Sequence, residues 1–345
     1  MKKIKLILFL LLFTTFVQGQ ISKLNQVNFQ NNISKWFNAW ELVSKETYGL
    51  NTLKPIDFVF FDEKYIYTTS QFVGKKGDII KGPKNLLDKK FTWYKIAYKD
   101  SISLPDGQKR KAEIMCFTIP IYNNKESNAY FVMPLINYWK LKNPGDHKIG
   151  YEKLTTAVFI HEFCHSQQLE NGQNGMEEKA FEQYFTAHPN EVYMDDIMQD
   201  IYSKDIDYEK IFKKELDLFT NAFESKSKND MISNSKMALN IMRERQKFIL
   251  DRDKRDLSEI DNYWLTLEGV AQFSSFMWLI NPKGGNLTIE NALKAGKTNS
   301  WSQEEGFAIA YLYSKLSEPK KWANNMFRSK TIDLIELLKI ETEKK

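Results

Sequence analysis

Leu154-Thr-Thr-Ala-Val-Phe-Ile-His161-Glu162-Phe163-Cys164-His165-Ser-Gln-Gln-Leu169 is the stretch from which the rest of the chain is best read. It holds one formal charge, Glu162, and two of the protein's four histidines. A surface helix alternates apolar and charged faces at the helical period. This one is apolar or neutral nearly all round, which predicts a buried helix. A carboxylate on a buried helix must be paired, protonated or near a cation, because isolated buried charge is too costly to keep. His161 and His165 stand four apart, so on a helix both imidazoles leave the same face and can grip one metal ion. Glu162 follows His161 directly, where its carboxylate can reach a water held by that metal.

The five residues from His161 to His165 spell HExxH, the arrangement of zinc metallopeptidases. Catalytic zinc usually has three protein ligands and an open fourth position for water, so one more His, Asp or Glu is required. A close third histidine fails, since position 171 is Asn171. The best candidate is Glu268, in Tyr263-Trp-Leu-Thr-Leu-Glu268-Gly-Val-Ala-Gln-Phe-Ser-Ser-Phe-Met-Trp-Leu-Ile280. Between Asp261 and Lys283 it is the only charged residue, which repeats the lone carboxylate of the first helix. Glu182 is the rival, at shorter spacing, but its neighbours are charged as on an ordinary solvated helix.

HExxH followed far downstream by a Glu-Gly-x-Ala helix resembles the gluzincin, thermolysin-like class of zinc peptidases, and is similar to secreted bacterial members of it. The resemblance covers the two motif helices and, more loosely, the C-terminal two-thirds of the chain. It implies His161, His165 and Glu268 as ligands of one Zn2+ per chain, with Glu162 as general base. It also implies an α+β, zincin-like fold, with an N-terminal mixed β-sheet lobe, a larger helical C-terminal lobe and the active-site helix between them. Three features depart from the pattern. The ligand elements stand over a hundred residues apart, so a helical insertion must be looped out. Gln167 replaces an apolar residue two beyond His165, and Gly306-Phe-Ala-Ile-Ala310 stands where related chains often carry a Tyr and a Gly.

Met1-Lys-Lys-Ile-Lys5, the apolar run Leu6 to Val17 and the small-residue spacing Val17-Gln-Gly19 read as a signal peptide cleaved after Gly19. Twelve apolar residues make a helix of about 18 Å, too short for a hydrocarbon core of roughly 30 Å. Export to the periplasm or medium is therefore expected, with no stable membrane insertion once the leader is gone. Losing Lys2, Lys3 and Lys5 takes the formal charge from +5 to +2. No basic run with interleaved aromatics suggests nucleic acid, and Lys109-Arg-Lys111 reads as a solvated loop. Cys116 and Cys164 could pair in an oxidising compartment. A free Cys164 on a buried helix would instead act as a small apolar side chain.

Residues 20–150 are predicted as an α/β lobe and 151–345 as a helical catalytic lobe. In the first, Phe29 to Ser44 reads as a helix burying Trp36, Phe37 and Trp40. Strands are predicted over Ile56 to Phe61, Tyr65 to Thr69, Phe91 to Ala97, Ala112 to Ile119 and Ala129 to Met133, with a turn at Leu104-Pro-Asp-Gly107. By the resemblance Tyr130-Phe-Val-Met-Pro134 is an edge strand that pairs with the substrate backbone, and Pro134 suits an edge; an ordinary sheet strand is the alternative. The second lobe has helical periodicity over Glu191 to Ser203, Tyr208 to Phe223, Ser233 to Arg252, Ser258 to Ile280, Gln303 to Leu316 and Thr331 to Thr342, with Pro282-Lys-Gly-Gly285 ending the Glu268 helix.

His147 and His188 fall in turn-like segments and read as loop residues. Glu215 reads as a solvated charge on an amphipathic helix, and Arg243, Arg245 and Arg252 as that region's exposed side, with one of them available to clamp a substrate carboxylate. Tyr263, Tyr311, Tyr313, Tyr193 and His188 are the candidate donors to an oxyanion. The expected activity is an exported zinc peptidase acting on a peptide or protein substrate. The alternatives are a catalytically silent zinc-binding or surface-interaction protein on the same fold, and an envelope-associated helical module with a coincidental motif.

Overall fold

A computed structural model describes residues 27–121, 129–145, 147–169, 175–187, 196–328 and 330–344. The expected leader, His188 and Tyr193 lie outside them. The fold is mixed α+β, with the strands in the N-terminal part and helices dominating after Tyr151. The chain divides into two compact units. The described residues up to Glu41 join Pro55–His147 in the first, and Leu42–Lys54 joins Lys148–Lys345 in the second. The second unit takes in Leu42–Lys54 as well as the chain from Lys148 onward. Periodicity could not show this, because residues 27–42 and the π-helical turn Val43–Tyr48 form one uninterrupted run. What assigns the turn is a tertiary bond, Tyr48 Oη to Ser274 Oγ at 2.7 Å.

The first unit is built on a six-stranded sheet. Its order is Asp78–Ile80, Trp93–Ala97, Tyr65–Thr68, Ile56–Phe61, Ala129–Pro134 and Phe117–Pro120. Only the central pair, Ile56–Phe61 with Ala129–Pro134, is parallel. Alternation along Ile56–Phe61 explains why both of its faces are apolar. Phe58 and Phe60 meet the helix at 27–42, where Phe37 lies 5.0 Å from Phe58 and Trp36 5.5 Å from Phe60 between ring centroids. Val59 and Phe61 face the other way, into a cluster with Ile102, Leu104, Tyr130, Val132 and Tyr138.

Ala129–Pro134 is an interior strand, which corrects the edge reading. All six residues are buried, with Ile56–Phe61 on one side and Phe117–Pro120 on the other. Pro134 is tolerated because it is the last residue, beyond the antiparallel ladder that ends at Val132↔Phe117, where no N–H is demanded. Phe117–Pro120 is the edge, half-buried throughout. Of the strand predicted over 112–119 only the end forms, as Phe117–Pro120; residues 112–116 are irregular, and Lys109–Lys111 before them pairs with Ser101–Ser103. The turn between those two closes through Gly107 N–H to Leu104 O at 3.0 Å, with Gly107 at φ +86°, a conformation glycine adopts without strain. Lys109–Lys111 is exposed, as read from its charge.

In the helical unit the helix Ser258–Ile280 buries sixteen of its 23 residues, far more than one amphipathic face. It is crossed by Tyr151–Gln168 and by Trp301–Leu316. The crossing with Trp301–Leu316 is made at Gly269 and Gly306, where a Cβ on Gly269 would stand 2.3 Å from the Gly306 carbonyl oxygen. Glycines at the crossing let the two backbones touch, which brings Gln303, near the start of the second helix, beside Glu268. Ser300 caps that start by accepting the N–H of Gln303. The Glu268 helix stops at Ile280, and Gly284 and Gly285 fold back so that the Gly285 N–H reaches Trp278 O at 2.8 Å. The short helices Ile136–Lys142, Ile289–Ala295 and Pro319–Phe327 add to those anticipated.

Glu215 and Arg245 depart from the expected solvated positions. Both are fully buried, on Ile206–Glu224 and Lys228–Asp253. Arg245 donates to Glu215 through Nε (2.6 Å) and Nη2 (3.0 Å) and to the Tyr208 hydroxyl through Nη1 (2.7 Å). Asp261 lies 3.0 Å and Glu305 3.6 Å from Nη2. One guanidinium faces three carboxyls, too few positive charges to ionise all of them in a dry interior. Burial, and then the charge of Glu215, pushes the Glu305 carboxyl well above the usual carboxylate range, so it keeps its proton. The periodicity placed these side chains on a helix face; it could not say that another helix covers that face. Among the described residues no helix is long and apolar enough to cross a membrane.

Candidate metal centre

His161, His165 and Glu268 meet in the helical unit. The Nε2 atoms of the two histidines are 3.3 Å apart. His161 Nε2 is 3.1 Å from Glu268 Oε2, and His165 Nε2 is 3.3 Å from Glu268 Oε1. Among the described residues this is the group whose ligand atoms come together closely enough to hold one cation. Tetrahedral zinc with ligand bonds of about 2.0 Å needs its donors about 3.3 Å apart. The two nitrogens meet that spacing, and each faces its own oxygen of the Glu268 carboxylate, so the group can hold one cation with three protein ligands. The rival Glu182 is exposed on Met176–Ala187 and takes no part in the cluster.

The outer nitrogen of each ring is held by a glutamine. His161 Nδ1 is 3.1 Å from Gln272 Oε1, and His165 Nδ1 is 3.2 Å from Gln168 Oε1. The amide orientations follow from their other bonds: Gln272 Nε2 donates to Gly296 O at 2.7 Å and Gln168 Nε2 to Leu267 O at 3.4 Å. The amide oxygens therefore face the rings and can only accept, so Nδ1 carries a proton in both rings and Nε2 is the nitrogen left to ligate a cation. Such partners set the tautomer and the ring angle of metal-binding histidines. Gln303 adds a hydrogen bond to the Glu268 carboxylate.

Without a cation the cluster balances charge with protons. Burial opposes charge on His161, but the hydrogen bond and charge of Glu268 prevail and raise its pKa to about 9. Burial pulls His165 down to about 4, with the charge of His161 adding to it and Glu268 opposing. Burial likewise opposes charge on Glu268, yet the two imidazoles and Gln303 hold its carboxyl at about 2. At neutral pH the centre thus contains one carboxylate, one imidazolium and one neutral imidazole. A bound cation would displace the imidazolium proton.

Glu162 is half-buried on the turn between the two histidines, and its charge reaches His161. Cys164 is buried on the same helix with Sγ 3.5 Å from Ser274 Oγ, and it forms no disulfide with Cys116. Gln167 points elsewhere, accepting the Lys54 N–H at 2.9 Å and donating to Ser166 Oγ at 2.9 Å. This bond to the Leu42–Lys54 segment gives the buried Gln167 amide its partner. The roles of Gln168, Gln272 and Gln303 were not anticipated. Two carried a signal: Gln168 is three residues past His165 and Gln272 four past Glu268, so each shares a ligand's helix face. Tyr263, Tyr311 and Tyr313 pack their rings against Phe181, Phe276 and Trp322 respectively. Arg245 is occupied by its carboxylates and is not a free clamp.

Compared with known protein families, with curated proteins and with solved structures, the chain finds no match.

Proposed function

We propose that this chain is an exported zinc-dependent peptidase of gluzincin type on a zincin-like fold, with one Zn2+ held by His161, His165 and Glu268. The observation that carries the reading is the set of three donor separations, 3.1 to 3.3 Å, among two imidazole nitrogens and a carboxylate on crossing buried helices. Three ligands and an open position are the arrangement of catalytic zinc, whereas structural zinc is usually closed by four. Zinc held by those residues would supply Lewis acidity and a water acidic enough to be deprotonated near neutral pH. Glu162 Oε atoms accept the proton of the attacking water and return it to the leaving amine, a general acid–base role worth roughly 10²–10⁴ in rate. Gln168 and Gln272 fix the ring planes, so the site does not reorganise as charge develops. The substrate is a peptide or protein. The N-terminal leader, cleaved after Gly19, would deliver the enzyme to the periplasm or the medium.

Glu162→Gln tests the reading. The amide keeps the carboxylate's shape but cannot take a proton, so zinc stoichiometry should stay at one per chain while hydrolysis of a peptide library falls at least a hundredfold. A variant that retains a tenth of the parent rate would remove Glu162 as the base. A parent protein that purifies without zinc and does not take it up would remove the metal reading altogether.

A further inference from the structure

Beside the metal centre the helical unit contains a partly open pocket of about 250 Å³. Its walls are mostly apolar, with Leu216, Phe223, Phe276 and Phe307 among them, contributed by three different helices. Its charged lining residues are Lys297 and Glu304, of opposite sign; burial raises the Glu304 carboxyl above its ordinary value and the charge of Lys297 opposes that rise. The pocket therefore carries no uncompensated charge to recruit an ion. A dry apolar cavity of about 150 Å³ accepts benzene, so this one has room for an indole, a benzyl or a branched aliphatic group.

Two further lining residues are Gln272 and Gln303. Gln272 accepts from His161 Nδ1, and Gln303 donates to Glu268. The pocket wall and the supports of two metal ligands are thus the same side chains. Gln272 is held from its other end by the carbonyl of Gly296, itself a lining residue, so the amide has little freedom to give way.

We infer that this pocket binds an uncharged aromatic or branched aliphatic group of side-chain size, and that its occupancy is linked to metal loading through Gln272 and Gln303. Coupling of this kind is reciprocal, so an occupant that alters zinc affinity must have its own affinity altered by zinc to the same factor. The inference goes beyond hydrolysis and does not depend on it. The group can come from a residue of a bound peptide or from a free small molecule, and the experiment separates the two.

Indole, N-acetyl-L-phenylalaninamide and N-acetyl-L-lysinamide are titrated by calorimetry into the full chain, first stripped with chelator and then loaded with zinc. Indole and the phenylalanine amide should bind saturably and the lysine amide should not. Thr220 lines the pocket from a half-buried position, so Thr220→Trp would fill the space from its rim. That variant should weaken the binding of indole about tenfold or more while its melting temperature stays near the parent's, and Thr220→Val should bind as the parent does. Zinc affinity measured with saturating indole should differ about fivefold or more from that without it, and this difference should vanish in Thr220→Trp. Competition between indole and a Phe-containing hexapeptide identifies the occupant as a peptide side chain. Simultaneous binding identifies it as a free small molecule, and both results support the site. No saturable binding to the stripped protein, or equal binding by Thr220→Trp, overturns the pocket. Binding with no effect on zinc affinity overturns the link alone, and failure to bind zinc with probe binding intact overturns the metal reading but not the pocket.

Discussion

Replacing Gly269 by alanine sets two effects of opposite sign against each other. In an open helix the change stabilises by about 1 kcal/mol, since alanine is the better helix former. Here the added Cβ would lie 2.3 Å from the Gly306 carbonyl oxygen, 2.4 Å from its carbon and 2.8 Å from its Cα, where real Cβ contacts essentially never fall below 3.0 Å. The obstacle is backbone, so no rotamer relieves it, and the helices must part by roughly 0.7 Å. A gap of that size forfeits about a quarter to a half of the dispersion energy of the contacts it opens. Overpacking of this kind costs about 1–3 kcal/mol or more, and at a crossing buried on both sides the upper end applies. The net expectation is a loss of about 2 kcal/mol. For a unit of this size that corresponds to a fall of about 4–8 °C in melting temperature. Calorimetry on metal-free protein measures it without contribution from the zinc site. Gly145→Ala is the control, since nothing lies within 4 Å of its Cβ position. The displacement would also draw Gln303 from Glu268, so zinc affinity should fall with stability. A Gly269→Ala protein that melts at or above the parent temperature would refute the close crossing, and with it the account of how Gln303 reaches the centre.

Glu268→Ala should lose zinc and, with it, the stabilisation that a ligand gives to the fold that binds it; Glu182→Ala should lose neither. Zinc analysis and melting curves decide, and the opposite pattern would move the third ligand. In metal-free protein the raised pKa of His161 contributes stability that is complete below about 6.5 and is lost as pH rises through about 9. Glu268 contributes in the opposite sense, present above its ordinary value of 4.5 and lost as pH falls toward 2. The depressed His165 costs stability as pH falls from 6.5 through 4. Melting temperature should therefore decline between pH 6.5 and 9 in the parent but not in His161→Gln, and a flat parent profile would contradict the charge balance described. Arg245→Ala should destabilise by about 3–5 kcal/mol, because it strands the buried carboxylate of Glu215. Glu305→Gln should be nearly neutral by chemical denaturation, because that carboxyl is already protonated; a large loss would mean that Glu305 is ionised.

The local elements were legible because each carries its own signal of composition or period. A run of β-branched and aromatic residues marked Ile56–Phe61, the 3.6 repeat with Pro282 and two glycines marked Ser258–Ile280, and the spacing of His161 and His165 on one helix face required no partner to be known. Even Glu268 was legible, since a single carboxylate in an apolar helix is anomalous whatever it meets. What the sequence could not carry was which face meets which neighbour. Pro134 looked like an edge marker, but a proline at the end of a buried strand satisfies the same local rule, and only the pairing of Phe117–Pro120 distinguishes the two. Glu215 and Arg245 had the spacing of solvated charges, and only another helix lying over them makes them a buried pair. The glutamines at 272 and 303 are ordinary until the Gly269–Gly306 crossing brings one helix against the other. Periodicity is a property of neighbours along the chain, within a few residues, so it determined the elements and the two-histidine face. The closing of a carboxylate and two imidazoles to within 3.3 Å depends on residues over a hundred positions apart, and tertiary packing alone decides it.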